Sequence, residues 1–426
     1  MTALENAIDV REDEALALDR DDPSSRSSFA IPPWPGEPGA ECSYFAGNSL
    51  GLQPLAVREV LAEELDEWAR LGVEGFFVGG RPWLRYHELL RDPLARLVGA
   101  SPSEVVAMNT LTVNLHLMLA SFYRPAGQRQ RILIEEAAFP SDSYAVASQA
   151  VLHGLDPETA IVRLRPRPGE AVLRTEDVIE MLERDGDSIA LVLLGGVNYL
   201  TGQLMDMSAL TAAGHRVGAV VGWDLAHAIG NVPLSLHDWD ADFAVWCSYK
   251  YVNGGPGAIG GCFVHDRHGG DARPPRLSGW WGNDPATRFQ MEPTFVPHAG
   301  ADGWQVSTTP ILSLAPVLVS LQMFDRIGID HLRARSVRLT GYLESLLDQL
   351  VATHELSVIT PRDPVWRGCQ LSLVVADAGA LARRLAAEYG VICDVRNPNV
   401  VRLAPVPLYS TYHDCWRAAA ALARLL

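Results

Sequence analysis

The 426-residue sequence predicts an α/β protein in which a mostly parallel sheet lies between helical layers, followed by a smaller α+β domain. Short β-branched runs alternate with helical patterns between about residues 105 and 264, and the runs at 131, 189 and 219 are apolar on both faces. Such runs are typical of parallel strands that helices cover on both sides. We therefore expect a ligand at the carboxyl ends of these strands.

Local patterns predict the elements in order. Residues 20–40 are rich in Pro, Ser and Gly, so we expect an extended arm there and no packed element. After Pro54, apolar residues from Leu55 to Leu71 recur at helical spacing. This spacing predicts a long amphipathic helix that stops at Gly72.

The pattern changes beyond Phe324 and predicts a second domain. A helical segment covers 330–352, and the strand candidates LSVIT, QLSLVVA and VICDV, a helix near 379–389 and a C-terminal helix follow. We predict an N-terminal arm at 1–43, a large domain at 44–325 and a small domain at 326–426, with the arm free to pack against the small domain.

Composition limits the partners and the compartment. A net charge of -16 and a pI near 5.2 disfavour nucleic acid and anionic membranes as partners. The six cysteines form no C-x-x-C pair, which disfavours a zinc ribbon or a disulfide framework. The acidic N-terminus lacks the features of a secretory signal, and polar residues and prolines interrupt the apolar stretch 306–324. We expect a soluble, cytoplasmic protein.

The segment from Val221 to Cys262 carries Asp224, His227 and Lys250 in an apolar, Gly-rich context. Pyridoxal phosphate needs an amine that holds its aldehyde and a carboxylate that keeps its pyridine nitrogen protonated. Lys250 follows an apolar run, and the aromatic residues around it favour a desolvated, nucleophilic amine. Asp224 ends the run AVVGWD, at the carboxyl edge of the predicted sheet. The segment therefore predicts a pyridoxal phosphate site.

Structural roles compete with each of these interpretations. An isolated lysine at a strand end usually extends to solvent, and an aspartate at a strand-to-helix junction usually caps the helix. The junctions at 109–112 and 139–142 offer helix N-termini for a phosphate, although their hydroxyl groups also suit capping, and Phe139 suits either ring stacking or the core. Arg402, in an apolar run, fits a substrate carboxylate and a buried ion pair equally well.

The same segment could instead hold a metal. Its candidate ligands are His227, His237, Asp238, Asp240 and Asp242. Their spacing matches no compact ligand motif, so we predict no metal.

Stretches along almost the whole chain resemble kynureninase, a family of fold-type-I pyridoxal phosphate enzymes related to the class V aminotransferases. The stretches include YFAGNSLGLQP (44–54), RPW (81–83), MNTLTVNLH (108–116), FPSDSYA (139–145), NYLTGQ (198–203), GWDLAHAIGNVPLSLHDWDADFAVWCSYKY (222–251), GWWG (279–282) and RLAPVPLY (402–409). The resemblance implies pyridoxal 5'-phosphate as cofactor and a homodimer whose active sites are shared between subunits.

The resemblance also implies roles for individual residues. The implied cofactor contacts are Leu111, Thr112, Phe139, Asp142, Asp224, His227, Tyr249, Lys250, Trp280 and Thr308. Among them, Lys250 would hold the aldehyde, Asp224 would pair with the pyridine nitrogen, and Thr308 would reach the cofactor of the neighbouring subunit. Arg402 would bind the carboxylate of an amino acid substrate.

The family reaction is the hydrolysis of L-kynurenine to anthranilate and L-alanine in tryptophan catabolism and NAD biosynthesis. The resemblance implies that Lys250 removes the α-proton while Asp224 keeps the ring nitrogen cationic, and that Tyr249 donates a proton to the departing carbon.

Two positions depart from the animal-type members of that family. Phe76 stands where those members carry a histidine near the substrate ring, and Thr308 where they carry an asparagine. Both differences favour kynurenine over its 3-hydroxy form, and a ring-substituted kynurenine of a secondary pathway stays open. The sequence is also compatible with a class V aminotransferase, a cysteine desulfurase or a non-catalytic cofactor-binding protein.

Overall fold

The central sheet is built from strands that alternate along the chain with helices. The structure is a computed structural model that describes residues 10–269 and 274–426. The strands are β1 (Phe29–Ala30), β2 (Ser43–Tyr44), β3 (Gln53–Pro54), β4 (Val105–Ala107), β5 (Arg131–Glu135), β6 (Ile161–Leu164), β7 (Ile189–Gly195), β8 (Val220–Asp224), β9 (Phe243–Trp246), β10 (Gly261–Val264), β11 (Ser357–Val358), β12 (Leu371–Val374), β13 (Val391–Ile392), β14 (Asp394–Arg396) and β15 (Val400–Leu403). The α-helices are α1 (Glu12–Asp21), α2 (Val57–Leu71), α3 (Arg91–Val98), α4 (Leu111–Phe122), α5 (Pro140–Leu152), α6 (Pro157–Ala160), α7 (Thr175–Asp185), α8 (Met207–Arg216), α9 (Ile311–Ile327), α10 (Ile329–Val351), α11 (Ala378–Tyr389) and α12 (Tyr412–Leu425).

The seven-stranded sheet has the order β4, β10, β9, β8, β7, β5, β6. The strands from β9 to β6 pair in parallel, and β10 is antiparallel to both β9 and β4. The predicted α/β class with a mostly parallel sheet is confirmed. Parallel strands end at one edge, so β5, β7 and β8 bring Glu135, Gly195 and Asp224 to the same side of the sheet, where Gly195 pairs with Asp224.

Both faces of this sheet are buried. Ile132 and Ile134 of β5 belong to the apolar cluster that includes residues of α4 and α5, whereas Leu133 belongs to the cluster on the other face. Alternate residues of a strand point to opposite faces, so a strand buried on both sides must be apolar throughout. This requirement explains the continuous apolar runs in the sequence.

A second sheet lies in the C-terminal part of the chain. It has the order β11, β12, β15, β14 with antiparallel pairing. An apolar cluster joins it to α10, α11 and α12. The helix predicted at 330–352 and the helix predicted at 379–389 are confirmed to within one residue at each end.

The junction between the two sheets is formed by α9 and α10, which bend by 82° at Gly328. The predicted domain boundary at 325/326 falls in the last turn of α9, and the division into domains stays a prediction. Within the described residues, no single helix is long and apolar enough to cross a membrane, and the bent pair passes that test by length and composition only.

The prediction that residues 20–40 contain no packed element is wrong. Residues Arg26–Ser28 form a 3-10 turn, and β1 pairs antiparallel with β3. Phe29 is buried and packs edge-on against the Tyr409 ring at 5.2 Å. The Phe29 ring, the pairing of β1 with β3 and the hydrogen bond from Arg26 Nη1 to Asp414 Oδ2 (2.9 Å) fix this stretch. These partners are distant along the chain, which is why a composition dominated by Pro, Ser and Gly did not reveal them. The predicted arm also includes residues 1–9, which lie outside the described residues.

The helix predicted after Pro54 is confirmed as α2, but only part of its apolar series lies on the buried face. Leu65 and Trp68 are 49% and 59% exposed. The buried face carries Val57, Leu61 and Glu64. The Glu64 carboxylate accepts hydrogen bonds from Arg81 Nε (2.7 Å) and Trp83 Nε1 (3.0 Å). Apolar side chains on α2 are therefore left facing outward.

The helix α1 is held to α10 and α12 through the carboxylate of Asp22, which accepts hydrogen bonds from Arg338 Nε (3.0 Å), Arg338 Nη2 (2.8 Å) and the Tyr412 hydroxyl (2.7 Å). Burial acts to raise the pKa of Asp22, but these hydrogen bonds hold it below its ordinary value of 3.8. A carboxylate with a lowered pKa stabilises the fold above its ordinary pKa, and this contribution is lost as the pH falls through the folded-state value.

We therefore expect Asp22→Asn to weaken the attachment of α1 by about 1–2 kcal/mol at pH 7. Thermal unfolding and the rate of tryptic cleavage within residues 10–26 measure this change. The difference from the unsubstituted protein should narrow below about pH 4. Asp13→Asn is the matched control, because Asp13 contacts only the exposed Arg11 in the described chain. Equal destabilisation by both substitutions would contradict the role of Asp22.

Candidate active site

A pocket opens at the carboxyl edge of the seven-stranded sheet, with an empty volume of about 610 Å³ including its mouth. The ends of β5, β7 and β8, the first turns of α4 and α5, and the segment after β9 supply its walls. The lining residues include Leu111, Thr112, Glu135, Phe139, Ser141, Asp142, Gly195, Asn198, Tyr199, Asp224, His227, Tyr249 and Lys250. The pocket is of the size that small-molecule cofactor sites have.

Lys250 is the only lysine in the sequence. It lies in the segment between β9 and β10, where Gly51 N donates to Tyr249 O (2.8 Å) and Asn253 N to Lys250 O (2.9 Å), so the backbone on either side is fixed. Its Nζ lies 3.0 Å from His227 Nε2 and 5.8 Å from the centre of the Phe139 ring. The Lys250 amine therefore lies in the pocket, between His227 and Phe139.

His227 is buried, and it follows β8 by three residues. Burial lowers the pKa of His227 well below its ordinary value, and the positive charge of Lys250 lowers it further. The imidazole is therefore neutral near pH 7, and its Nε2 accepts a hydrogen bond from Lys250. Within the described chain, His227 Nδ1 has no hydrogen-bond partner.

Three buried carboxyl groups meet beside the amine. Asp224 Oδ1 accepts a hydrogen bond from Ala226 N (2.7 Å), and Asp142 lies in the first turn of α5. Burial raises the pKa of Asp142, and the neighbouring Asp224 raises it further. Burial also raises the pKa of Glu135. Such a group of acids favours a positively charged partner in the pocket.

The N-termini of α4 and α5 both line the pocket. The hydroxyl groups of Thr112 in α4 and Ser141 in α5 lie 2.7 Å apart. Thr110, the N-cap residue of α4, makes no side-chain capping bond to the residues that the structure describes. The first N–H groups of α4 are therefore available to an anion, as in many phosphate sites.

The residues that line the pocket fit pyridoxal phosphate. An amine, an acid group at the end of a strand and a helix N-terminus are the three elements that hold the aldehyde, the ring nitrogen and the phosphate. Two buried polar atoms at the pocket, Asp142 Oδ1 and His227 Nδ1, lack a partner among residues 10–269 and 274–426. Buried polar atoms are rarely left unpaired, so a polar ligand at this position would satisfy them.

The structure brings most of the site residues predicted from sequence into this pocket, namely Leu111, Thr112, Phe139, Asp142, Asp224, His227, Tyr249 and Lys250. Phe76, Trp280 and Thr308 do not line it in the described chain. Phe76 packs edge-on against Trp83 at 5.5 Å. Trp280 is 44% exposed, and Thr308 is also exposed. The roles predicted for these residues stay predictions.

Arg402 is fully buried in β15, outside the pocket lining. Its Nη2 lies 2.7 Å from Asp394 Oδ1, its Nη1 donates to Tyr199 O (2.6 Å), and its Nη2 also donates to Ser49 Oγ (3.1 Å). The buried ion pair, one of the two interpretations of this arginine, is therefore present. Arg402 does not line the pocket itself, but it contacts Tyr199, which does.

Glu135 and Asn198 are site residues that the sequence reasoning missed. Glu135 ends β5 and accepts hydrogen bonds from Asn198 Nδ2 (2.6 Å) and Gly195 N (2.9 Å). These bonds fix the turn that carries Tyr199, whose ring contacts Phe139 edge-on at 5.3 Å. Glu135 ends the apolar run RILIE as Asp224 ends AVVGWD. The pattern that identified Asp224 could therefore have predicted Glu135 as well.

Two family models match the chain. The model "Aminotransferase class-V" matches residues 44–374, and "Kynureninase C-terminal domain" matches residues 332–422.

Similar proteins carry the same family name. A kynureninase of Salinispora tropica is 61% identical over 98% of this chain and 98% of its own length. A kynureninase of Koribacter versatilis is 55% identical over 96% of this chain and 97% of its own length, and one of Myxococcus xanthus is 56% identical over 92% and 91%.

Solved structures share the fold at low sequence identity. A cysteine desulfurase of Thermococcus onnurineus superposes with a TM-score of 0.74 at 18% identity, covering 90% of this chain and 94% of its own. A mutant of the cystine C-S lyase C-DES, solved with glycine covalently linked to the pyridoxal phosphate cofactor, superposes with a TM-score of 0.75 at 19% identity, covering 92% of this chain and 98% of its own.

The single lysine makes covalent attachment of the cofactor directly measurable. After incubation with pyridoxal phosphate and reduction with borohydride, we expect the pyridoxyl group on Lys250 alone, because its amine faces the pocket. Mass spectrometry of the digested protein locates the label, and Lys250→Ala should lose both the label and the yellow colour.

Arg424→Lys provides the matched control, since it adds one lysine at an exposed position. We expect no label there. Labelling of residue 424 or of the N-terminal amine as efficiently as residue 250, or trapping that survives Lys250→Ala, would contradict the assignment.

Proposed function

Because the chain belongs to the kynureninase family, we propose that it is a pyridoxal-phosphate-dependent hydrolase that converts L-kynurenine and water to anthranilate and L-alanine in tryptophan catabolism. One observation of the site carries this proposal. The Lys250 amine shares a single pocket with the Asp224 carboxylate and with the N-termini of α4 and α5. This arrangement offers one group each for the aldehyde, the ring nitrogen and the phosphate.

The proton transfers fall to two side chains. Pyridoxal phosphate, when bound, withdraws electrons from the α-carbon of the amino acid joined to it. Lys250 Nζ then takes the α-proton of the substrate, and the neutral His227, 3.0 Å away, orients the amine by accepting its hydrogen bond. Asp224 keeps the ring nitrogen protonated. The pKa of His227, lowered by burial, prevents the imidazole from competing for the proton.

Breaking the carbon–carbon bond requires water and a proton donor. Water adds to the γ-carbonyl carbon, the bond between the β- and γ-carbons breaks, and the β-carbon gains a proton. Burial raises the pKa of Tyr249, so its phenol keeps its proton near neutral pH and can give it to the β-carbon. The proton that the added water loses as the carboxyl group forms restores the Tyr249 phenol. Lys250 returns a proton to the α-carbon, which completes L-alanine.

Arg402 binds the substrate carboxylate in this proposal. Its guanidinium already contacts Asp394 and the carbonyl of Tyr199. A buried arginine with several fixed acceptors is pre-oriented for a further carboxylate. Substrate binding at Arg402 would also act on the loop that carries Tyr199.

The ring preference is the finer part of the proposal. Phe76 and Thr308 replace polar residues that animal-type members carry near the substrate ring, so the site offers less to a 3-hydroxyl group. We therefore infer that kynurenine is the better substrate.

A cysteine desulfurase function is disfavoured by the site itself. That chemistry needs an accessible, nucleophilic cysteine near the cofactor. Among the residues that the structure describes, the pocket lining contains no cysteine, and burial raises the pKa of the nearby Cys247. The described cysteines are free thiols, which agrees with the reducing cytoplasm that we propose as the location.

A homodimer with shared active sites is supported by the exposed aromatic residues. Trp280, Phe289 and Phe77 contact one another at ring distances of 5.5 and 6.4 Å, and each is more than 40% exposed. The exposed face of α2 carries Leu65 and Trp68. Large exposed apolar patches usually mark interfaces. Trp280 does not line the pocket of its own chain, so its proposed contact with phosphate would be made in the partner.

Turnover tests the proposed reaction. We expect the purified holoenzyme to release fluorescent anthranilate from L-kynurenine, with a higher kcat/KM than for 3-hydroxykynurenine. Tyr249→Phe should lower kcat about 100-fold or more with little change in KM, because it removes a proton donor used only in the reaction. Tyr144→Phe, at a 71% exposed position, is the matched control and should leave both constants unchanged.

Thr308→Asn tests the ring preference separately, and it should shift the ratio of the two kcat/KM values toward 3-hydroxykynurenine. An unchanged ratio would remove Thr308 from the substrate site. A holoenzyme that turns over neither substrate would refute the proposed function.

Complementation tests the shared site. Lys250→Ala and Trp280→Ala chains should each be inactive alone. When they are co-expressed, each mixed dimer has one site that contains both intact residues. We expect about a quarter of the wild-type activity, because half of randomly paired dimers are mixed. If Trp280 serves its own chain, both sites of a mixed dimer carry one lesion and no activity returns.

A further inference from the structure

A cluster of two histidines and two carboxylates lies at the edge of the central sheet opposite the pocket. Glu104 directly precedes β4, His237 lies in the loop between β8 and β9, and His265 and Asp266 directly follow β10. Because β10 is antiparallel to β4 and β9, its end meets their beginnings at this edge. The cluster therefore joins three distant segments of the chain.

The candidate ligand atoms are close enough to share one ion. His237 Nδ1 lies 2.9 Å from Glu104 Oε1, His265 Nδ1 lies 3.6 Å from the same oxygen, and His265 Nδ1 lies 3.0 Å from Asp266 Oδ1. One ligand atom from each of the four residues lies within 4.8 Å of all the others. In a tetrahedral zinc site with bonds of about 2.0–2.2 Å, neighbouring ligand atoms are about 3.3–3.6 Å apart. The separation of 3.6 Å lies at the upper end of that range, and those of 2.9 and 3.0 Å lie below it, so a bound ion would move these atoms slightly apart.

Other residues hold the ligands in place. Glu104 is fully buried, and its carboxylate accepts hydrogen bonds from Ser101 N (2.8 Å) and Asp266 N (2.9 Å). The second ring nitrogen of His265 lies 3.3 Å from Asp240 Oδ1. A carboxylate beside the non-ligating nitrogen is the usual support of a metal-binding histidine.

Both candidate imidazoles direct their Nδ1 atoms toward the carboxylates of the cluster. Arg267 N donates a long hydrogen bond of 3.3 Å to His265 Nδ1, and a metal at this nitrogen would replace that bond, because the nitrogen has one lone pair. The rings of His237 and His265 stack at 4.9 Å with an angle of 20° between them, which presents both Nδ1 atoms to Glu104. Metal binding requires an unprotonated ring nitrogen, so His237 Nδ1, which donates to Glu104 Oε1 at 2.9 Å, would release its proton as the ion binds.

The surrounding charge favours a cation. Glu104, Asp266, Asp240 and Asp242 are all carboxylates, and the guanidinium of Arg267 is already bound by Asp240 and Asp242. Asp238 also acts on His237, and His215 and His268 contact Asp242. The negative charges outnumber the single arginine. A divalent cation would offset the excess.

We propose that Glu104, His237, His265 and Asp266 form a zinc site. Two nitrogen and two oxygen ligands suit Zn²⁺, whereas Mg²⁺ and Ca²⁺ prefer oxygen ligands alone. The side chains of His237 and Asp266 are 41% and 56% exposed, which gives an ion access from solvent, while the other two ligands are anchored in the protein. The site lies away from the reacting groups, so its role is to tie together the starts of β4 and β9 and the end of β10.

Sequence spacing could not reveal this set. Glu104 lies 133 residues before His237 in the sequence. His265 reaches them because β10 is antiparallel to β4 and β9 and therefore ends at the edge of the sheet where those strands begin. His237 is among the candidate ligands whose spacing along the chain disfavours a metal, but its neighbours in the fold are different residues.

The test uses the holoenzyme, freed of metal with a chelator and titrated with ZnCl₂ by calorimetry. We expect about one Zn²⁺ per chain and a higher melting temperature in its presence. His237→Gln and His265→Gln should each weaken binding at least 10-fold and abolish the rise in melting temperature. Excess Mg²⁺ should not displace the zinc. Co²⁺ should give the visible absorption of a tetrahedral site.

His413→Gln is the matched control, because His413 also contacts a carboxylate, Glu12, on a different surface. It should bind zinc as the unsubstituted protein does. Absence of stoichiometric binding would overturn the proposal and leave the cluster as an ion-pair network. Binding that persists in both His237→Gln and His265→Gln would also overturn it. Kynurenine turnover is measured in parallel and is independent of either outcome.

Discussion

The burial of acidic groups beside one amine is the constraint on which the active site depends. Asp224 and Glu135 end neighbouring parallel strands, and Asp142 begins the helix that follows β5. All three are less than 10% exposed, and the carboxyl groups of Asp142 and Asp224 interact with Lys250. Buried carboxylates are costly unless they are paired or protonated. The pocket therefore favours a ligand with a positively charged ring. The charge of that ring would stabilise the ionised form of Asp224.

The same acids connect the pocket to the second sheet. Glu135 fixes Asn198, and the carbonyl groups of the turn that follows accept hydrogen bonds from residues of the small sheet. Tyr199 O accepts from Arg402 Nη1 (2.6 Å), and Leu200 O accepts from Ser372 Oγ (2.7 Å). Arg402 is therefore connected to the wall of the pocket by hydrogen bonds. This path joins the proposed carboxylate contact to Tyr199 and Phe139, at the mouth of the pocket.

Much of the fold and site could be predicted because the sequence pattern and the chemistry coincide. The apolar runs follow from a sheet buried on both faces, and Asp224 and Lys250 lie where strands of such a sheet end. Local patterns failed where a contact is made over a long distance. Phe29 is buried by Tyr409, 380 residues along the chain, in a segment whose composition is that of a linker.

The helix α2 shows a different limit, since amphipathic spacing identifies an apolar face but not what covers it. Its Leu65 and Trp68 face outward, and Trp280 lies on the outer surface although the family resemblance assigns it to the phosphate. These observations agree if the apolar faces are covered by a second chain that receives Trp280 in its own pocket. A hydrophobic pattern is thus equally compatible with a core and an interface. On α2, the buried Val57 and Glu64 identify the inner face. A site shared between two chains would explain both observations. Leu65 and Trp68 would be covered by the second chain, and Trp280 would lie on the surface of its own chain because it completes the pocket of the other.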